Sequence, residues 1–184
     1  EHELVFDIVG EPQKHAVTSY IDKTANRSER DRQSDVKNIT GEFTGAYAIH
    51  PFTGKEIPIW IGDYVLASYG TGAVMSVPCG DQRDYLFAKK FDIQIVNIFK
   101  DTDISNSAHD EKTGVISASA FLNELEIQKA ITRSIQEIES RGIGKGKTNY
   151  RLRDAVFSRQ RYWGEPFPIY FVDEIPFLVD DENL

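Results

Sequence analysis

Two aspartates, Asp81 and Asp84, stand three residues apart just after Pro78-Cys79-Gly80. That spacing suits two chemistries. If a helix begins here, Asp81 is an N-cap and Asp84 falls at the third helical position, reaching back as in a capping box. Both charges would then lie at the positive end of the helix dipole. Alternatively, one carboxylate faces the preceding turn at Tyr69 to Gly72 and holds a cationic group. The two roles are compatible, since one aspartate can cap while the other binds. Other constellations are weak. His2, His15, His50 and His109 are scattered and Cys79 is the single cysteine, so no metal-ligand spacing emerges. A nucleophilic Cys79 would need a nearby base and no histidine adjoins it, which leaves a buried or loop thiol. Gly70-Thr71-Gly72 precedes a strand pattern, whereas a dinucleotide fingerprint joins a strand to a helix.

The elements that must position the aspartates occupy Tyr69 to Asp84. Tyr69-Gly70-Thr71-Gly72 is a turn whose glycines tolerate positive φ and close approach. Ala73 to Val77 is apolar and rich in β-formers, which predicts a largely buried strand containing Met75. Pro78-Cys79-Gly80 ends it, and Asp81 opens a helix to about Phe91.

Upstream, Glu1 to Gly10 alternates weakly and is expected to be the tail of a strand. Pro12 begins a helix with Val17, Tyr20 and Ile21 on one face, ending near Thr24. Asn26 to Asn38 is a solvated helix or loop without chemistry. Phe43 to Ile49, Ile57 to Ile61 and Tyr64 to Ala67 read as further short strands punctuated by Pro51, Gly54, Gly62 and Gly70. Ile93 to Phe99 adds another strand, and Lys100 to Gly114 is a polar loop. A second helix spans about Glu126 to Arg141, with Ile127, Ile131, Ile135 and Ile138 along one face and Gly142 just past its end. Ile169 to Val172 and Ile175 to Leu178 form a hairpin. The expected class is α+β: a small curled antiparallel β-barrel flanked by helices.

At 184 residues, 40% hydrophobic and 27% charged, the composition is that of a soluble globular domain with an appendage. No apolar run reaches membrane-spanning length and no signal peptide is visible. A single cysteine fits a reducing compartment, so a cytoplasmic location is expected. The net charge of −8 argues against indiscriminate nucleic-acid binding. Yet Lys145, Lys147, Arg151, Arg153, Arg159 and Arg161 meet only Asp154 before Gly164, a local balance of six minus one. Tyr150, Tyr162 and Trp163 are interleaved with them. The stretch is either a solvated basic face or a contact for a phosphate backbone.

The motifs of this chain resemble the editing domain of leucyl-tRNA synthetases, in which a G-T-G-A-[VI]-M-A-V-P run leads into D-x-R-D. Gly70 to Asp84 matches nearly throughout. Thr44 to Ile49, Ile57 to Trp60, Tyr64-Val65-Leu66, Tyr150 to Asp154 and Ser158 to Gly164 follow in the family's order. The isoleucyl and valyl enzymes share Gly-Thr-Gly but not Met75 followed by Val77-Pro78. An isoleucyl or valyl editing domain is the alternative within this group.

The resemblance implies hydrolysis of wrongly charged tRNA(Leu), within a parent that charges tRNA(Leu) using ATP and magnesium; the segment itself needs no cofactor. It implies residues 1–157 as the editing domain and 158–184 as a return segment and hairpin toward a catalytic domain. Asp84 would anchor the substrate α-ammonium and Asp81 would shape the same wall. Tyr69, Thr71, Met75 and Val77 would line the amino-acid pocket, and Lys145, Lys147 and Arg151 would meet the tRNA. With no evident nucleophilic side chain, a positioned water is the expected attacker. Two departures stand out. Gly80 occupies the place of the family's usual histidine, and the family's threonine-rich segment, the opposite pocket wall, is expected upstream of Glu1. The chain is thus expected to be a cut-out of a longer polypeptide, inactive alone. A docking module for the tRNA 3′ end, without hydrolysis, is the other class of function.

Overall fold

A computed structural model describes residues 2–25, 27, 38–66, 70–148, 150 and 168–180. The chain divides into two compact units, Glu1–Lys147 and Thr148–Leu184.

The first unit begins with α1 (Leu4–Ile8), a 3-10 turn at Glu11–Gln13 and α2 (Lys14–Ala25). The strand expected at the start is a helix. Leu4 and Phe6, the residues that suggested alternation, are exposed, while Val5 is buried. Val5, Ile8 and Val9 recur at i, i+3 and i+4, a helical stripe too short to dominate the pattern. Pro12 sits at the start of the 3-10 turn, where a missing N–H costs nothing. Val17 is the buried residue of α2.

β1 (Gly41–Ile49) and β2 (Glu56–Gly62) form an antiparallel pair, with Phe43 opposite Trp60 and Ile49 opposite Glu56. The turn between them is held by His50, whose Nδ1 accepts from the amides of Phe52 and Thr53. The register shifts between Phe43 and Tyr47, where three residues of β1 oppose one of β2. Fully buried Thr44 stabilises this bulge. Its hydroxyl donates to the Ile59 carbonyl at 2.7 Å and accepts from the Ala46 amide at 3.2 Å. Gly45 completes it with φ +80°, a conformation open to glycine and costly for other residues.

Beyond β2 the strand expected at Tyr64 to Ala67 is not formed in its described part, where a turn runs through residue 65, closed by the Val65 amide on the Gly62 carbonyl; Ala67 lies outside the described residues. Gly62-Asp63 is a turn signature that outweighed the apolar run behind it. Buried Asp63 binds Arg27, two residues past α2, and donates its amide to the Tyr20 hydroxyl. Residues 73–77 form no strand either, and all five are exposed. α3 (Gln82–Lys90) follows and presents Tyr85, Phe87 and Ala88 inward. Phe87 packs on Trp60 and Phe91, with ring centroids 5.7 and 4.6 Å apart.

A second core gathers Cys79, Phe99, Ile116 and Ala130, with Ile95, Ile98, Leu125 and Ile127 against it. The strand expected at Ile93 to Phe99 is reduced to one bridge, Phe99 to Ile116. Its side chains alternate as a strand's would, but the Asn97 side chain ties to the Thr102 carbonyl and the Phe99 amide, closing a turn. α4 (Ile127–Ser140) ends at Gly142, φ +67°, as expected. It buries Ala130, while Ile131 and Ile135 of the expected apolar stripe are exposed.

In the second unit, β3 (Ile169–Val172) and β4 (Ile175–Leu178) are a hairpin. Its two-residue loop, Asp173-Glu174, has φ of 49° and 64°, the left-handed pair of a type I′ turn. The architecture is α+β with two antiparallel two-stranded sheets; among the described residues no sheet closes on itself.

Gly45→Ala should destabilise the protein by about 1–2 kcal/mol, since an alanine must hold a left-handed φ. Its Cβ would also come 2.5 Å from Gln13 Oε1. Urea unfolding checks this; an unchanged midpoint would show that the bulge relaxes freely.

Candidate functional site

Local sequence accounts for most of the site. Asp81 is the N-cap of α3, and one of its oxygens accepts from the amides of Arg83 at 2.9 Å and Asp84 at 3.0 Å. Those are two of the orphan donors at a helix start. The reciprocal half of the expected capping box is missing. Asp84 does not reach back to the Asp81 amide, which donates instead to the Val77 carbonyl.

Asp84 is used differently. Its Oδ1 accepts from the Tyr64 hydroxyl at 2.7 Å, and its Oδ2 accepts from the Val77 amide at 2.7 Å. The carboxylate is half-buried, and it joins α3 both to the turn after β2 and to the exposed apolar segment. A carboxylate offers about four lone-pair positions, so two remain for a further donor. The arrangement can hold a cationic group, and among the described residues it contains no evident nucleophile.

Met75 and Val77 stand 59% and 43% exposed on that segment, which rules out a core role for Met75 in this fold. The reason for the mistaken burial is physical: β-forming apolar residues imply a covered face, and here they line an open wall. Thr71 is exposed as well, in a turn with Gly70 at φ 63° and Gly72 at φ 81°. Its hydroxyl donates to the Ala73 carbonyl at 3.0 Å. The Thr71 carbonyl lies 3.0 Å from His2 Nε2, while His2 Nδ1 accepts from the Leu4 amide. Nε2 therefore carries the proton and donates. Sequence reasoning missed both His2 and Tyr64 as neighbours of the site. Each lies far along the chain from its partner, and no local pattern links them.

Lys145 and Lys147 are exposed. Tyr69 and Arg151 lie outside the described residues. Cys79 is buried and its thiol is pushed up by that burial, so it behaves as core rather than nucleophile. Among the described residues no three metal-ligating side chains cluster, and no helix is long and apolar enough to cross a membrane.

Residues 1–139 match the family model described as leucyl-tRNA synthetase, editing domain. Leucine--tRNA ligase of Christiangramia forsetii is 60% identical over the whole chain, which covers 19% of that relative. The corresponding ligase of Amoebophilus asiaticus is 54% identical, again over the whole chain and 20% of the relative. A crystal structure, the LeuRS–tRNA–LeuAMS ternary complex of Agrobacterium radiobacter, is similar with a TM-score of 0.57 and 26% identity, over all of this chain and 20% of that one. The chain belongs to the leucyl-tRNA synthetase editing-domain family. It spans about a fifth of the length of the curated relatives it matches.

Burial, and then the hydrogen bond to Asp84, push the Tyr64 phenol well above its ordinary 10.0. The folded state therefore keeps a proton that the unfolded chain releases, and Tyr64 contributes stability that is present below about pH 10 and declines above it. Between about pH 10 and 11 this one group should cost up to about 1.4 kcal/mol per pH unit. Tyr64→Phe should show a shallower decline in urea titrations across that range, and equal slopes for the two proteins would contradict the buried donor.

Proposed function

We propose that this domain hydrolyses the ester of wrongly charged tRNA(Leu), as the editing part of a leucine–tRNA ligase. The observation that carries the reading is Asp84, bonded to the Val77 amide of the exposed segment that also bears Met75. An anion fixed beside an open apolar wall suits an aminoacyl group, which has a cationic amine and an apolar side chain. In this reading Asp84 receives the α-ammonium, and Tyr69, Thr71, Met75 and Val77 line the side-chain pocket. Asp81 keeps α3 in place and polarises the same wall. Water attacks the acyl carbon and the ribose oxygen leaves with a proton, so orientation and electrostatics supply the catalysis. The need for such a site is general. Apolar pockets separate side chains one methylene apart by only about 1–3 kcal/mol, a magnitude taken from aminoacyl-tRNA synthetases themselves.

The tRNA 3′ end would be the partner, with Lys145, Lys147 and Arg151 near its backbone. The wider reading also has the sheet curl into the family's barrel, with residues 1–157 as the editing domain and 158–184 leading back to the catalytic domain. Charging with leucine, ATP and magnesium would belong to the rest of a cytoplasmic parent; no residue described here is proposed to hold either cofactor.

One observation favours a second reading. Both Asp84 oxygens already accept hydrogen bonds, as they would if Asp84 only braced a surface that docks the tRNA 3′ end. A docking module would bind mischarged tRNA without releasing its amino acid.

In the full-length ligase, Asp84→Ala should therefore sharply slow release of isoleucine from isoleucyl-tRNA(Leu). Leaving the ammonium unpaired costs on the order of 3 kcal/mol, about a hundredfold in rate. Wild-type deacylation by a folded variant would sink the assignment. Met75→Ala, at an exposed position, should alter which ester is cleaved while changing the unfolding free energy measured in urea by less than about 0.5 kcal/mol. A destabilised protein with unchanged substrate preference would return Met75 to a purely structural role.

A further inference from the structure

We propose that Tyr64 is a positioning residue for this hydrolytic site, holding the Asp84 carboxylate in the orientation that receives the substrate ammonium; the inference rests on the editing reading above. Three observations support it. The Tyr64 ring packs on Phe87 of α3, centroids 5.6 Å apart, so the hydroxyl is placed by aromatic packing and not only by its own hydrogen bond. That hydroxyl and the Val77 amide each take one oxygen of Asp84 at 2.7 Å, which fixes the carboxylate plane from two sides. The two tethers come from different segments, the turn after β2 and the apolar wall, so the carboxylate is registered to the wall that would hold the side chain.

The phenol can only donate in this geometry. A phenol is protonated throughout the physiological pH range, and burial pushes Tyr64 further up, so its hydrogen bond persists there. The remaining lone pairs of Asp84 are left for an ammonium with three donors. Without the Tyr64 hydroxyl, one tether remains, and the carboxylate must be ordered anew each time substrate binds. Preorganisation of this kind is worth a measurable fraction of the rate.

The experiment uses the full-length ligase and two esters of tRNA(Leu), one with isoleucine and one with its α-hydroxy acid analogue, which lacks the ammonium. Tyr64→Phe should lower kcat/KM for isoleucyl-tRNA(Leu) about tenfold, in the range of a lost hydrogen bond to a charged group. Hydrolysis of the hydroxy ester should be unchanged, because Asp84 has no cation to hold there. In an Asp84→Ala background, measured at high enzyme concentration, Tyr64→Phe should cost nothing further. Equal slowing of both esters would reveal a general structural role and overturn the inference. So would wild-type kinetics of Tyr64→Phe where Asp84→Ala is strongly impaired, which would leave the editing reading standing. If Asp84→Ala itself retains full deacylation, the editing reading fails and this inference with it.

Discussion

The site depends on a single carboxylate that three segments share. Asp84 belongs to α3, yet its oxygens are occupied by a hydroxyl from the turn after β2 and an amide from the 73–77 segment. Hydrogen bonds to an ionised acceptor are about twice as strong as neutral ones. Residues 73–77 have no ladder partner among the described residues. Their placement rests on Asp84 at Val77, the Asp81 amide on the Val77 carbonyl, and the turn at Gly70 to Gly72. An exposed apolar segment would otherwise gain by collapsing onto other apolar surface. Polar anchoring from the helix start keeps it open as a wall.

The anchoring holds only if α3 itself is fixed. Aromatic packing does this. Phe87 touches Trp60 of β2, Tyr64 and Phe91, with centroids between 4.6 and 5.7 Å. β2 is in turn registered on β1 through the bulge at buried Thr44, and Gly10 donates its amide to the Thr44 carbonyl. The sequence of causes runs from a glycine at φ +80° through the strand pair and the aromatic stack to the carboxylate. Most of those residues place the carboxylate without touching it.

Much of this was legible in the residues alone. The Gly54 turn, the Asp81 cap, the Gly142 stop and the Asp173-Glu174 hairpin each carry local turn or cap chemistry, and each element they bound was found. The misreadings share a cause. Residues 64–66, 73–77 and 93–99 are rich in apolar β-formers, and β-propensity reports fitness for a half-buried pleated surface rather than the presence of a partner strand. Where Gly62-Asp63 turns the chain, or Asn97 ties up its neighbours, the propensity has no ladder to join. At the site, the spacing of Asp81 and Asp84 located both carboxylates but not their partners. Tyr64 is twenty residues from Asp84 and His2 sixty-nine from Thr71, and pairings at such separations are set by tertiary packing.

The three-residue spacing of the aspartates separates two tasks that one residue could not perform. An N-cap must turn its side chain back over the first helical turn to meet the amides two and three positions on. Asp81 does so with a single oxygen serving both Arg83 and Asp84, which commits its orientation to the helix. Asp84 has helical backbone and its own amide is satisfied by Asp81, so its side chain is free to leave the helix axis and meet Tyr64 and Val77. Had Asp84 closed the capping box as first expected, its carboxylate would have been drawn to the Asp81 amide and away from the wall. The Val77 carbonyl prevents this by accepting that amide. The same short segment thus releases Asp84 from capping with its carbonyl and captures it with its amide.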